Sequence, residues 1–220
     1  DASVQTAIRL LEKKGHQVRQ LANLPRRGLA QQRQFLLDSV ASRYCLYLDD
    51  DVLLEPFVIG NMLQAQEEEG IGFVGQALIG LSYRDDYRPH QQAIELWEGP
   101  VEPELVTPRH ANWQRHSLHN AANILHVQEK MQLAPDRQRK YKVAWVGGCV
   151  LYDVQKLRET GGFEFWKEIP EEHVGEDVLA QLRVMKRFGG CGLIPSGAYH
   201  QEAPTTIANR KFDIPKELVL

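Results

Sequence analysis

Apolar residues at Val4, Ala7, Ile8 and Leu11 fall on one helical face, which predicts a helix over residues 3–14 with Ser3 as its cap and Gly15 as its stop. A short strand is expected at 16–21, then a loop holding Pro25 and Gly28, then a second helix at 29–41. The apolar run Tyr44–Leu48 ends abruptly in three aspartates and reads as a strand. Pro56 opens another helix, which Gly70 closes, and 72–78 predicts a further strand. Helix and strand therefore alternate at the rhythm of a doubly wound sheet with mostly parallel strands.

Residues 83–142 break that rhythm. Pro89, Pro100, Pro103, Pro108 and Pro135 interrupt them, and one strong helix is expected, at 119–133. The segment reads as an irregular, functional insert within a single domain spanning 1–220. Order returns with a strand at 143–152, a short helix, the turn Gly161-Gly162, a helix over Glu176–Phe188 and a last strand at 191–194. Val178, Leu182 and Met185 share one face of that helix.

Composition narrows the class. A chain of 220 residues with 43% hydrophobic and 25% charged residues is an ordinary globular protein, which excludes a disordered tail, a collagen-like repeat and a coiled coil. The net charge of -3 lacks the basic excess of a nucleic-acid binder. No apolar run reaches the roughly 20 residues of a membrane span, and the best stretch, 143–154, is broken by Gly147, Gly148 and Asp153. Basic residues of the insert (Arg109, Arg115, Arg137, Arg139, Lys140) suit either a solvated face or peripheral contact with an anionic acceptor or membrane surface. Cys45, Cys149 and Cys191 are odd in number, widely spaced and set among apolar residues, so they read as buried thiols of a cytoplasmic protein.

The chemistry concentrates in a few places. LYLDDDVLLEP at 46–56 delivers Asp49, Asp50 and Asp51 to the carboxyl end of a strand, where open α/β sheets place ligands. Adjacent carboxylates repel one another unless a cation or strong donors sit there, and an oxygen-only cluster suits Mg²⁺ or Mn²⁺. A solvated acidic turn that caps the next helix is the other reading. GEDVLAQLR at 175–183 opens a helix on Glu176 and Asp177, where the macrodipole favours negative charge by about 0.3–1 kcal/mol each. The same position keeps a carboxylate ionised, as a general base requires. Arg33 follows Leu29 and precedes Leu36 and Val40 at helical spacing, so it falls in an apolar stripe and must snorkel or meet an anion. His200 in AYHQE (198–202) is either a structural histidine or a metal ligand.

The order of these elements resembles the family 2 glycosyltransferases of the GT-A fold: a glycine-then-arginine helix, strand-DDD, VGGCVLYD at 146–153, GGF at 161–163, GED, and a late histidine. The resemblance implies a three-layer α/β/α sandwich with a mostly parallel central sheet. It implies an inverting, metal-assisted transferase that moves a sugar from a nucleotide-diphospho-sugar to a hydroxyl of a saccharide or lipid-linked acceptor. UDP-sugar is favoured as donor over GDP- or dTDP-sugar. In this resemblance Asp51, with Asp49 and His200, holds Mn²⁺ or Mg²⁺. Asp177 is the base, with Glu176 beside it. Arg33, Asp49, Asp50, Gly147 and Gly148 line the donor and acceptor pocket, with Phe163 of the GGF turn at its border. Gln34 stands where the family's G-x4-R-N helix has asparagine.

The same resemblance implies that a first strand-helix-strand unit of the fold precedes DAS, with Asp1 facing the donor base. A metal-dependent hydrolase acting on nucleotide sugars or phosphoesters, and a non-catalytic nucleotide-sugar binding domain, are the alternatives. The hydrolase gives the GED helix and the GGF turn no special reason to exist, and a binding domain would sooner have lost Asp177 or one of the aspartates, all of which are present. Trp97, Trp113 and Trp145 supply the insert with aromatic faces for a sugar ring or for the core.

Overall fold

The computed structural model describes residues 2–203 and 210–218, so Asp1 lies outside the described residues. The first described element is helix α1 (Ala2–Lys13), which a stretch without helix or strand connects to α2 (Leu29–Asp38). Strands β1 (Tyr44–Leu48) and β2 (Val52–Leu54) follow, then α3 (Val58–Glu69), β3 (Phe73–Gly75) and β4 (Leu78–Gly80). Short 3₁₀ turns, α4 (Asn123–Met131) and β5 (Arg139–Tyr141) make up the insert. The remainder comprises β6 (Cys149–Asp153), α5 (Val154–Glu159), α6 (Glu176–Phe188), β7 (Gly190–Ile194), β8 (Ala198–His200) and α7 (Ile214–Glu217).

Side-chain alternation along the strands builds two cores. Phe73, Val150, Tyr152 and Ile194 face one way and pack with Leu37 of α2, Leu157 of α5 and Leu179 and Leu182 of α6. Val74, Leu151, Cys191 and Leu193 face the other way and meet Val58, Met62 and Ala65 of α3. The sheet is thus covered by helices on both faces. The insert is less separate than its prolines suggest, because Val106, Leu118, Ile124, Val127 and Tyr141 are buried in the first core.

Five strands lie in the order β1-β6-β3-β7-β5, and three form a smaller sheet, β2-β8-β4. The expected mostly parallel sheet is corrected. β6 runs antiparallel to both β1 and β3, and β5 antiparallel to β7, leaving β3 with β7 and β4 with β8 as the parallel pairs among the described residues. The insert brings the chain back at the same end of the sheet at which β3 leaves it, with Val150 opposite Gly75, so β6 enters antiparallel.

Five local expectations also shift. The strand at 16–21 does not form, since among the described residues no neighbour pairs with it and an unpaired strand has no ladder to hold it. Residues 72–78 divide between β3 and β4 in different sheets, and the predicted strand at 143–152 narrows to β6 because 143–148 is held by a side chain instead of a ladder. Ser3 lies inside α1 and does not precede it. On α2 the buried positions are Ala30, Gln34 and Leu37, whereas Leu29 and Leu36 are exposed, so Arg33 borders the apolar stripe and is not its centre. Among the described residues no helix is long and apolar enough to cross a membrane.

Candidate active site

β1 ends at Leu48, and Asp49 is fixed at once by its N–H donating to Gly148 O at 2.9 Å. The chain reverses into β2, which pairs with β8 so that Val52 lies opposite His200. This small sheet, invisible in the periodicity, is what brings a residue near the end of the chain to the aspartate turn. His200 Nε2 lies 3.0 Å from Asp51 Oδ2, and the Gln201 N–H donates to Asp51 O at 2.8 Å. Asp50 is exposed, and no ion pair among the described residues reaches it.

Opposite this turn stands the N-terminus of α6. Gly175 adopts the left-handed conformation at φ 82° and turns the chain so that Glu176 is buried and Asp177 half-buried. Arg33 joins the two sides. Its Nε donates to Glu176 Oε1 at 2.9 Å and its Nη2 to Asp49 Oδ1 at 3.4 Å. The guanidinium lies 5.6 Å from the centre of the Tyr47 ring, whose hydroxyl donates to Arg33 O at 2.8 Å. Burial works to lower the Arg33 pKa, but Asp177, Glu176 and Asp49 together raise it, so it is a permanent cation. The anion that Arg33 demanded is supplied by the protein's own carboxylates.

Asp177 is the unusual acid. Burial first, and the neighbouring Glu176 second, push its carboxyl up to about 7, while Arg33 and the Val178 N–H hold it back. Its Oδ1 accepts from Val178 N–H at 2.9 Å. A carboxylate that exchanges its proton near neutral pH is matched to general-base work.

The GG loop passes between the two sides. Gln181, one turn after Asp177 on α6, donates to Val146 O at 2.7 Å and accepts from Val146 N–H at 2.8 Å. A Cβ on Gly147 would meet nothing within 4 Å, whereas one on Gly148 would lie 3.2 Å from Asp49 Oδ2. The GGF turn is tied to α2 by Gln34, whose Oε1 accepts from Phe163 N–H at 2.8 Å while its Nε2 donates to Asp38 Oδ1. Glutamine in place of asparagine therefore keeps a hydrogen-bonding role. Phe163 is buried against Tyr47, behind the turn and not on its surface.

A cation would find part of a shell here. Among the described residues no three His, Cys, Asp or Glu side chains converge to hold a metal by themselves. Asp51 offers a partly exposed carboxylate, which fits a hard cation that completes its shell with water and phosphate oxygens. His200 fits less directly. Its Nδ1 accepts the Glu202 N–H at 3.0 Å, so its proton sits on Nε2 and donates to Asp51. Ligation through that nitrogen requires the Glu202 contact to open first.

Sequence reasoning passed over three supports. Gln181 carried a usable signal, since a polar residue four after Asp177 shares its face on an otherwise buried helix. Glu202 carried none. Neither did His173, buried just before GED, whose Nε2 accepts the Ala30 N–H at 3.1 Å and so caps α2 where Gly28 has no side chain to do so. Gly28 makes room for it: at φ +90° a Cβ would lie 2.3 Å from Glu171 O and 2.4 Å from His173 Cε1. Gly28→Ala should therefore destabilise the protein by roughly 2–5 kcal/mol, read as a lower urea midpoint with an unchanged slope. A cleft of about 970 Å³ opens nearby between Gln20, Asn23, Arg26, Gln32 and Glu172, but none of the clustered carboxylates lines it. The polar cluster, not that cleft, defines the site.

Residues 1–130 match the family model of Glycosyl transferase family 2. The chain belongs to that family. Family 2 membership makes it a nucleotide-sugar glycosyltransferase, and the mixed α/β architecture accords with the GT-A fold that the family suggests. The matched stretch contains Arg33 and the three aspartates, while Gly147, Gly148, Glu176, Asp177 and His200 lie beyond it, Glu176 in contact with Arg33 and His200 with Asp51. A comparison with curated proteins finds no match.

Proposed function

We propose that this family 2 enzyme is an inverting transferase that carries a sugar from a nucleotide-diphospho-sugar to an acceptor hydroxyl, with Asp177 as the general base. The supporting observation is the Arg33 bridge, which ties the helix bearing Asp177 to the strand end bearing Asp49. Asp177 takes the acceptor's proton as the hydroxyl attacks the anomeric carbon from the side opposite the leaving diphosphate, so configuration inverts. Glu176 does not compete for that proton, because its carboxylate is committed to Arg33. Asp49 and Asp51 face the diphosphate of the donor, and Arg33 balances the charge of Asp49. Asp51 would hold Mg²⁺ or Mn²⁺, with Asp49 and, once its Nε2 is freed, His200 beside it. When bound, the cation supplies charge neutralisation of the leaving group.

UDP-sugar is the favoured donor, GDP- and dTDP-sugars are the others to test, and the cytoplasm is the compartment that suits three unpaired thiols. Calorimetry with UDP-glucose, GDP-mannose and dTDP-glucose, each with and without Mn²⁺, tests the reading. One of the three should bind, and Mn²⁺ should tighten it at least tenfold, an effect that Asp51→Asn removes, because the diphosphate supplies ligands that the protein lacks. Binding of none, or equal binding with and without the cation, would overturn the metal-assisted transferase.

A further inference from the structure

We infer that Trp113, His116 and Trp145 form an acceptor subsite that takes a saccharide ring beside Asp177. The three rings are half-buried and in mutual contact. His116 stacks on Trp145 with centroids 4.9 Å apart and planes 10° apart, and Trp113 packs on Trp145 at 4.5 Å with a tilt of 46°. Aromatic groups driven together by burial alone need no fixed relation to a catalytic helix. These have one.

Trp145 immediately precedes Val146, whose backbone N–H and C=O are both bonded to Gln181. Gln181 and Asp177 lie four residues apart on α6, on one face and about 6 Å apart along the axis. The indole is therefore attached to the base-bearing helix through one rigid peptide unit. On the other side of Val146 comes Gly147, where a side chain would meet only open space, and then Gly148 beside Asp49. Aromatic cluster, open step and donor-side carboxylate follow one another along a single loop.

The cluster has the chemistry for a sugar. Tryptophan rings stack on the C–H face of a pyranose, an amphipathic surface that aliphatic chains match less well. His116 adds polarity. Its Nδ1 donates to Trp113 O at 2.8 Å, which leaves Nε2 as a lone-pair acceptor with no protein donor among the described residues. A sugar hydroxyl is a donor that would satisfy it. The platform is also held still. Arg115, between the two ring-bearing positions, pairs with Glu95 at 2.9 Å and Glu104 at 2.6 Å, and Leu118 is buried, which braces the 3₁₀ turn Ala111–His119.

The inference rests on the transferase reading only for the word acceptor, and one experiment separates the two. Saturation-transfer NMR is recorded with methyl glycosides of glucose, galactose, mannose and N-acetylglucosamine at tens of millimolar, while sugar-nucleotide binding is followed in parallel. At least one glycoside should receive saturation through its ring C–H protons and shift the Trp145 indole resonance. Trp145→Ala should weaken that contact roughly five- to tenfold, Trp145→Phe should restore most of it, and His116→Leu, a substitution at a half-buried position, should weaken it without unfolding the protein. Sugar-nucleotide affinity should not change in any of them. If no glycoside is saturated in the unmodified protein, or if contact persists in Trp145→Ala and His116→Leu, the subsite is wrong whatever the donor does. If glycosides bind at the cluster and no sugar nucleotide binds anywhere, the subsite stands and the transferase reading falls.

Discussion

Asp177→Asn should lower turnover by about 10²–10⁴ while leaving sugar-nucleotide affinity nearly unchanged, because it removes proton acceptance without touching the donor-side carboxylates. The unmodified enzyme should show its activity rising with pH through about 7 as Asp177 loses its proton, and the substitution should flatten that limb. Stability should respond in the opposite sense. A carboxyl whose folded-state pKa lies above its unfolded value favours the folded state most while protonated, and that contribution fades as pH rises from about 4 through about 7. Asp177→Asn, neutral at every pH, should therefore melt higher than the parent at pH 8 and differ little at pH 4. Glu176→Gln should cost less activity, since its side-chain carbonyl still accepts from Arg33. If Asp177→Asn keeps most of the turnover, the acidic pair serves only the helix dipole.

Arg33→Ala should be the most destabilising change in the site, by about 3–5 kcal/mol, which is the usual penalty for stranding one member of a buried ion pair. The reason lies with its partner: the Glu176 side chain is only 4% exposed and would be left buried with no cation to meet it. Removing both charges in Arg33→Met with Glu176→Gln should recover most of the loss, as an apolar replacement of similar volume commonly does. Urea denaturation of Arg33→Met, Glu176→Gln and their double variant reads this as a coupling energy. Equal, additive losses would mean that the bridge contributes nothing beyond its separate ends. Neither Arg33→Ala nor the double variant should bind donor normally, because Asp49 loses its counter-charge in both.

Much of this site was legible in the chain because local chemistry set it. Three aspartates after YCLYL, and two acids at the start of a strongly amphipathic helix, are patterns complete within ten or so residues, and β1 and α6 have the predicted bounds. What escaped reading depends on distant partners. The direction of β6 follows from the path of the whole insert. The small sheet beneath Asp51 joins strands of three residues each, too short to show alternation. The buried face of α2 was misjudged because Gln34 looks like a surface residue until the Phe163 N–H that it bonds is in place. Arg33 was recognisable as a guanidinium in need of an anion, but a one-dimensional pattern cannot say whether that anion is a phosphate or Glu176.

β6 is hydrogen-bonded along both sides, to β1 and to β3, whereas among the described residues β1 pairs with β6 alone. The two strands that meet at Gly148 and Asp49 therefore sit at different depths of protection. In a deuterium-exchange time course, amides of Val150, Leu151 and Tyr152 should exchange only through global opening, while alternate amides of β1 exchange through local excursions. The aspartate turn would then have a lifetime of its own, far shorter than that of the fold. A donor that engages it should slow β1 exchange selectively and leave β6 unmoved, which would make substrate engagement visible as a change in the lability of a single strand.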